Sequence, residues 1–224
     1  MTFPRTLSRF ALEASSDFPV LLVTGARQVG KTTLLQALRE PARRYVTLDD
    51  PLVLRLARED PALFLQRFEP PVLIDEIQYA PELLPHIKMA VDRAHRPGMF
   101  WLTGSQPFHL MQGVSESLAG RVAVVQLLGF SRREAERKGQ ETVPPFLPTE
   151  AALNVRRVTA APLDVQEVYE LIWRGSFPAM TANPQMGRDL FYGSYLQTYV
   201  QRDVRDLARV GDEMAFLRFV RAAA

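Results

Sequence analysis

PVLLVTGARQVGKTTLL, Pro19 to Leu35, runs from an apolar stretch through a glycine-bearing loop into a segment of helical character. Its centre fits the phosphate-loop (Walker A) pattern G-x-x-x-x-G-K-[ST] with Gly25, Gly30, Lys31 and Thr32. Glycine lets a backbone fold closely around phosphate oxygens. The amides of Gly25, Ala26, Arg27, Gln28, Val29, Gly30, Lys31, Thr32 and Thr33 then converge on the anion at the positive end of the following helix. In such a loop the lysine, here Lys31, places a point charge on the β- and γ-phosphates, and the Thr32 hydroxyl is a ligand for Mg²⁺. The expected ligands are therefore ATP and Mg²⁺. A guanine nucleotide is disfavoured because the Asn-Lys-x-Asp signature is missing.

Working outward, four more apolar runs read as strands: RYVTL (44–48), PVLID (71–75), MFWLT (99–103) and RVAVVQLL (121–128), after PVLLV at 19–23. Helical spacing is expected at Thr32–Arg39 and Pro81–Arg96, the latter stopped by Pro97-Gly98. Apolar strands alternating with amphipathic helices predict a parallel sheet covered on both faces, a three-layer α/β P-loop NTPase fold. The core is expected over 1–138, an irregular linker over 139–163 and a helical segment over 164–224. The linker begins with GQETVPPFLPTE, which holds three prolines. Helices are expected at Asp164–Arg174 and Arg188–Ala208, with Phe191, Tyr195, Tyr199 and Val204 along one stripe of core character.

VLIDE, Val72 to Glu76, ends a strand apolar on both faces with two adjacent carboxylates. Burying both without a partner is costly, so they belong at the open end of the strand or beside a cation. In a parallel sheet of this kind ligands bind outside the carboxyl ends of the strands. Asp75 is then expected on the magnesium and Glu76, where the chain turns, on the attacking water (Walker B). LTGSQ offers Thr103, Ser105 and Gln106 near the γ-phosphate, Ser105 ahead of the others; a strand-end hydroxyl can equally cap a helix. SESLAGR delivers Arg121 to the start of the fifth strand, either paired with a surface acid or acting as an arginine finger on a neighbouring subunit's nucleotide.

Composition bounds the alternatives. The 224 residues are 47% hydrophobic and 23% charged, with net charge +2, which suits a soluble globular chain and gives only a weak pull toward nucleic acid. There is no cysteine, so disulfides and thiolate chemistry are excluded. No apolar run has the length of a membrane span, and the N-terminus lacks a signal-peptide core. A cytoplasmic location is expected. His86, His95 and His109 lack metal-ligand spacing, and no Gly-x-Ser-x-Gly elbow is present. The ending FLRFVRAAA has no helix stop, so the chain is expected to be part of a longer one.

TGARQVGKTTLL, LDDP, LIDEIQ, LTGSQ and ESLAGR, in this order, resemble the bacterial and archaeal AAA-type ATPases that carry a C-terminal domain of unknown function. WRGSFPAM and YLQTYVQRDVRDL resemble the opening of that second domain. The resemblance implies strand order 5-1-4-3-2 and ATP hydrolysis coupled to the appended domain. It implies Lys31 on the nucleotide, Thr32 and Asp75 on magnesium, Glu76 as base, Ser105 as sensor and Arg121 as a finger in a homo-oligomer. Arg202 is a weak candidate for a second sensor. A slow-turnover regulatory switch read by a protein partner, and the ATPase module of a DNA-associated protein, are the alternative readings.

Overall fold

The computed structural model describes residues 3–105, 113–141, 147–159 and 162–199, together with 218, 219 and 222. Five parallel strands, β1 (Val20–Thr24), β2 (Arg44–Thr47), β3 (Val72–Asp75), β4 (Phe100–Gly104) and β5 (Val122–Gln126), form one sheet in the order β2-β3-β4-β1-β5. This is the expected three-layer sheet in its expected order. Every residue of β1, β3 and β4 is buried, as unbroken apolar runs require when both faces are covered. The outer strands β2 and β5 are only partly buried.

Alternation divides the core in two. Leu21, Val23, Leu73 and Trp101 face one side and pack with Ala11, Ala14, Leu34 and Leu35 of α1 (Leu7–Asp17) and α2 (Lys31–Leu38). Leu22, Ile74 and Leu102 face the other side, against α3 (Pro51–Glu59), α4 (Pro61–Arg67) and α5 (Leu83–Ala94). α3 and α4 each start with an aspartate cap followed by proline. Asp50 accepts from Leu52 N and Val53 N, and Asp60 accepts from Leu63 N. α5 starts two residues after Pro81 and ends at His95, which takes a left-handed conformation (φ 48°) just before Arg96-Pro97-Gly98.

The irregular linker expected over 139–163 needs correction, because Glu150–Thr159 is a helix. The prolines that signalled irregularity stop at Pro148, and EAALNVRRVT beyond them has good helix formers and an acid in its first turn. Helices follow at Val165–Arg174, Pro178–Ala182 and Arg188–Tyr199. Asp164 and Glu167 close a capping box at the first of these. Phe191 and Tyr195 gather on Phe177, at ring-centre distances of 5.5 and 4.8 Å, so these members of the aromatic stripe serve packing. Val204, Arg202 and the expected helix beyond Tyr199 lie outside the described residues. The segment is tied to the core where Phe130 N donates to Ser176 O at 2.7 Å. Among the described residues no helix is long and apolar enough to cross a membrane.

Candidate functional site

The loop between β1 and α2 depends on two glycines. Gly25 has φ 145°, and a Cβ there would lie 2.2 Å from the Leu127 carbonyl oxygen, so the loop can lie against the end of β5 only if this residue is glycine. Gly30 caps α2 at φ 93°, a left-handed conformation from which the chain turns directly into the helix. Lys31 is buried, and its Nζ donates to Gly25 O at 3.1 Å and Ala26 O at 3.0 Å. Its charge therefore sits at the loop's centre. Arg27, Gln28, Gly30, Thr32 and Thr33 line a cavity of about 600 Å³ that Glu76 also faces, with Pro178 and Thr198 of the C-terminal helices at its rim.

Asp75 gathers three hydroxyls. Thr32 Oγ1 and Thr103 Oγ1 donate to Oδ1, at 2.6 and 2.5 Å, and Tyr45 OH donates to Oδ2 at 3.1 Å. Alternation accounts for the convergence: Leu73 and Asp75 share a face, Tyr45 is in register with Leu73 on β2, and Thr103 follows Trp101 on β4. Burial, then the neighbouring Asp75 carboxylate, pushes the Tyr45 hydroxyl up to about 12 from its usual 10.0. The two carboxylates thus diverge as their alternation requires, with Asp75 in the sheet and Glu76 at its rim.

Glu76 leaves the strand at once. It takes a left-handed conformation (φ 60°, ψ 48°), and its N–H donates to Thr103 Oγ1 at 3.0 Å. Ser105 Oγ donates to Glu76 Oε2 at 3.3 Å. Gln78, in the 3₁₀ turn Ile77–Tyr79, donates from Nε2 both to Glu76 Oε2 and to Ser105 Oγ, the latter at 3.1 Å. The expected Lys31, Thr32, Asp75, Glu76 and Ser105 are therefore brought together at one end of the sheet. Thr103 is there too, but it holds Asp75 and the Glu76 backbone from inside the core. Gln106 and His109 lie outside the described residues. Sequence reasoning missed Tyr45 and Gln78, which become recognisable only once β2 is known to flank β3 and the chain after Glu76 is known to turn back.

Arg121 precedes β5, at the end of the sheet opposite the loop. It pairs with Asp92 through Nε–Oδ1 and Nη2–Oδ2 contacts of 2.5 and 3.1 Å, the surface ion pair that was one of its two expected fates. It is not part of this chain's own loop site.

A second cavity, about 480 Å³, adjoins the loop on its other side and shares Gly30 and Thr33 with the first; Pro4, Leu34, Phe130 and Ala179 contribute apolar walls. Arg5 holds the N-terminal segment there. Its guanidinium donates to Glu134 Oε1 at 3.1 Å, Val29 O at 3.1 Å and Leu128 O at 2.6 Å. A charged, amide-lined cup beside an apolar slot suits a molecule with phosphates at one end and a flat ring at the other.

The model of a family described as "AAA domain" matches residues 17–136, and that of a domain of unknown function, DUF8612, matches residues 165–224. Uncharacterized proteins of Mycobacterium tuberculosis and Mycobacterium bovis are each 33% identical over 192 residues, which is 84% of this chain and 37% of theirs. The chain thus spans 37% of the length of these curated relatives. A crystal structure of a DNA replication initiation factor is 15% identical, with a TM-score of 0.48, over 88% of this chain and 64% of that one.

Proposed function

The chain belongs to the AAA domain family, a nucleotide-binding, ATPase-like class, and from that premise we propose that it binds ATP with Mg²⁺ and hydrolyses it to ADP and phosphate. The observation that carries this reading is the 2.6 Å hydrogen bond from Thr32 Oγ1 to Asp75 Oδ1. It joins the first hydroxyl of α2 to the acid ending β3, so two hard oxygen donors stand beside the loop amides. No three His, Cys, Asp or Glu side chains gather as a metal cage among the described residues. A site of one hydroxyl and one carboxylate suits Mg²⁺, which takes much of its coordination from substrate phosphates and water.

The loop amides and Lys31 hold the triphosphate, the lysine exchanging its loop carbonyls for phosphate oxygens. Thr32 and Asp75 hold the ion, which when bound neutralises charge on the β- and γ-phosphates. The apolar slot lined by Pro4, Leu34 and Phe130 takes the base. Glu76 accepts a proton from water as its oxygen bonds to the γ-phosphorus; the bond to the β-bridging oxygen breaks, and ADP leaves with those electrons. Ser105 senses the γ-phosphate through its contact with Glu76. We further propose that 1–138 is the ATPase core, that 164–224 is the helical start of a C-terminal domain, and that Pro178 and Thr198, which line the loop cavity, couple the two. In a homo-oligomer, Arg121 reaches a neighbour's nucleotide after exchanging its Asp92 partner.

Glu76→Gln tests the reading. ATP affinity should stay within about twofold while hydrolysis falls about 100-fold or more, the scale of a lost general base. Undiminished turnover would refute Glu76 as the base.

A further inference from the structure

Gln78 carries an anomaly that the proposed chemistry does not use. Its Nε2 spends both hydrogens, one on Glu76 Oε2 and one on Ser105 Oγ at 3.1 Å, while Ser105 spends its own proton on Glu76 at 3.3 Å. The three side chains form a closed triangle. Among the described residues, Gln78 Oε1 is buried without a hydrogen-bond partner. An orphaned buried acceptor is unfavourable, because it has given up its hydrogen bond to water. Turning the amide over would set its oxygen against the Glu76 carboxylate, so the observed orientation is the one the chemistry permits.

The turn itself does not need this side chain. Tyr79 N donates to Glu76 O and Ala80 N to Ile77 O, both at 3.1 Å, and Ile77 and Ala80 are fully buried. Backbone bonds and apolar anchors already close it. What the Gln78 amide adds is a restraint on Glu76, a residue held at positive φ at the rim of the cavity.

We propose that Gln78 is the positioning residue for Glu76. Together with Ser105 it ties Oε2, fixes the carboxylate rotamer and leaves Oε1 to meet the attacking water. This deepens the reading of Glu76 as the base and rests on it. Gln78 does not line the loop cavity that Glu76 faces, so its removal should change the chemical step and spare binding.

The test is Gln78→Leu, which keeps the bulk and removes both N–H donors. Turnover should fall about 10- to 100-fold, the scale of a misplaced reacting group, with KM for ATP within about twofold of the parent. An unchanged kcat, or a loss that lies wholly in KM, overturns the proposal. If Glu76→Gln abolishes hydrolysis while Gln78→Leu does not, the proposal fails and the ATPase reading stands. If the parent chain hydrolyses nothing, the ATPase reading fails, and a double-mutant cycle in urea unfolding decides the contact. Gln78→Leu should then lower the folding equilibrium about fivefold more in the parent than in the Glu76→Ala background, which has no side-chain acceptor. Equal effects in the two backgrounds overturn the proposal.

Discussion

Removing the carboxylate of Glu134 should destabilise the protein more than an average substitution does. Glu134 and Arg5 lie 129 positions apart and meet with side chains 6% and 7% exposed. Glu134 Oε1 accepts from Arg5 Nε at 3.1 Å and from Thr6 N at 2.8 Å, and Oε2 accepts from Ser131 N at 2.8 Å to complete a capping box. In Glu134→Ala the guanidinium keeps its carbonyl acceptors, Val29 O and Leu128 O, but no counter-charge. Breaking a buried pair from one side costs about 3–5 kcal/mol, chiefly through the charge left behind. At about 2–4 °C per kcal/mol for a chain of this size, the melting temperature should fall by about 6–20 °C. Thermal unfolding followed by circular dichroism measures it. The double variant Arg5→Met with Glu134→Leu removes both charges and should recover most of the loss. A single variant that costs under about 1 kcal/mol would refute the reasoning, because the pair would then be screened like an exposed one.

Two further outcomes are expected. Tyr45 is held neutral up to about pH 12 in the folded chain but ionises near 10.0 when unfolded, so the folded state keeps the proton longer. Its contribution is complete below pH 10 and is lost as pH rises through 12; Tyr45→Phe should therefore lose less stability than the parent over that window, and equal losses would contradict the raised tyrosine that burial, then Asp75, produces. If Arg121 serves a neighbour's nucleotide, specific ATPase activity should rise with protein concentration, and Arg121→Ala should flatten the curve. A flat curve for the parent leaves the arginine as the surface partner of Asp92.

The legible parts of this chain are those whose physics is local. The phosphate loop needs glycine at Gly25 and Gly30 within one short stretch, and β3 declares itself by apolar residues of both parities ending in acids. Strand order has no such signature; it came through family resemblance, since no periodicity says that β4 lies between β1 and β3. The support of the site is correspondingly hidden. Tyr45 and Thr103 reach Asp75 from two different strands, and Arg5 reaches Glu134 across the whole core. Yet some signal was available. Ser131-Arg-Arg-Glu134 has the spacing of a capping box, which predicts a helix start there, though not that Glu134 would also hold an arginine. Gln78 has no such signal, because its contact with Glu76 depends on the left-handed turn at Glu76, and glutamate carries no propensity that announces that turn.

The central claim is that the loop from Gly25 to Thr33 cradles the triphosphate of ATP. Titration calorimetry of Mg·ATP against the parent chain and Lys31→Ala tests it most directly. The parent should bind, and the variant should bind at least about 100-fold more weakly, as losing a charge on phosphate from a buried position implies. Equal affinity in the two proteins, or no binding by the parent, would contradict it.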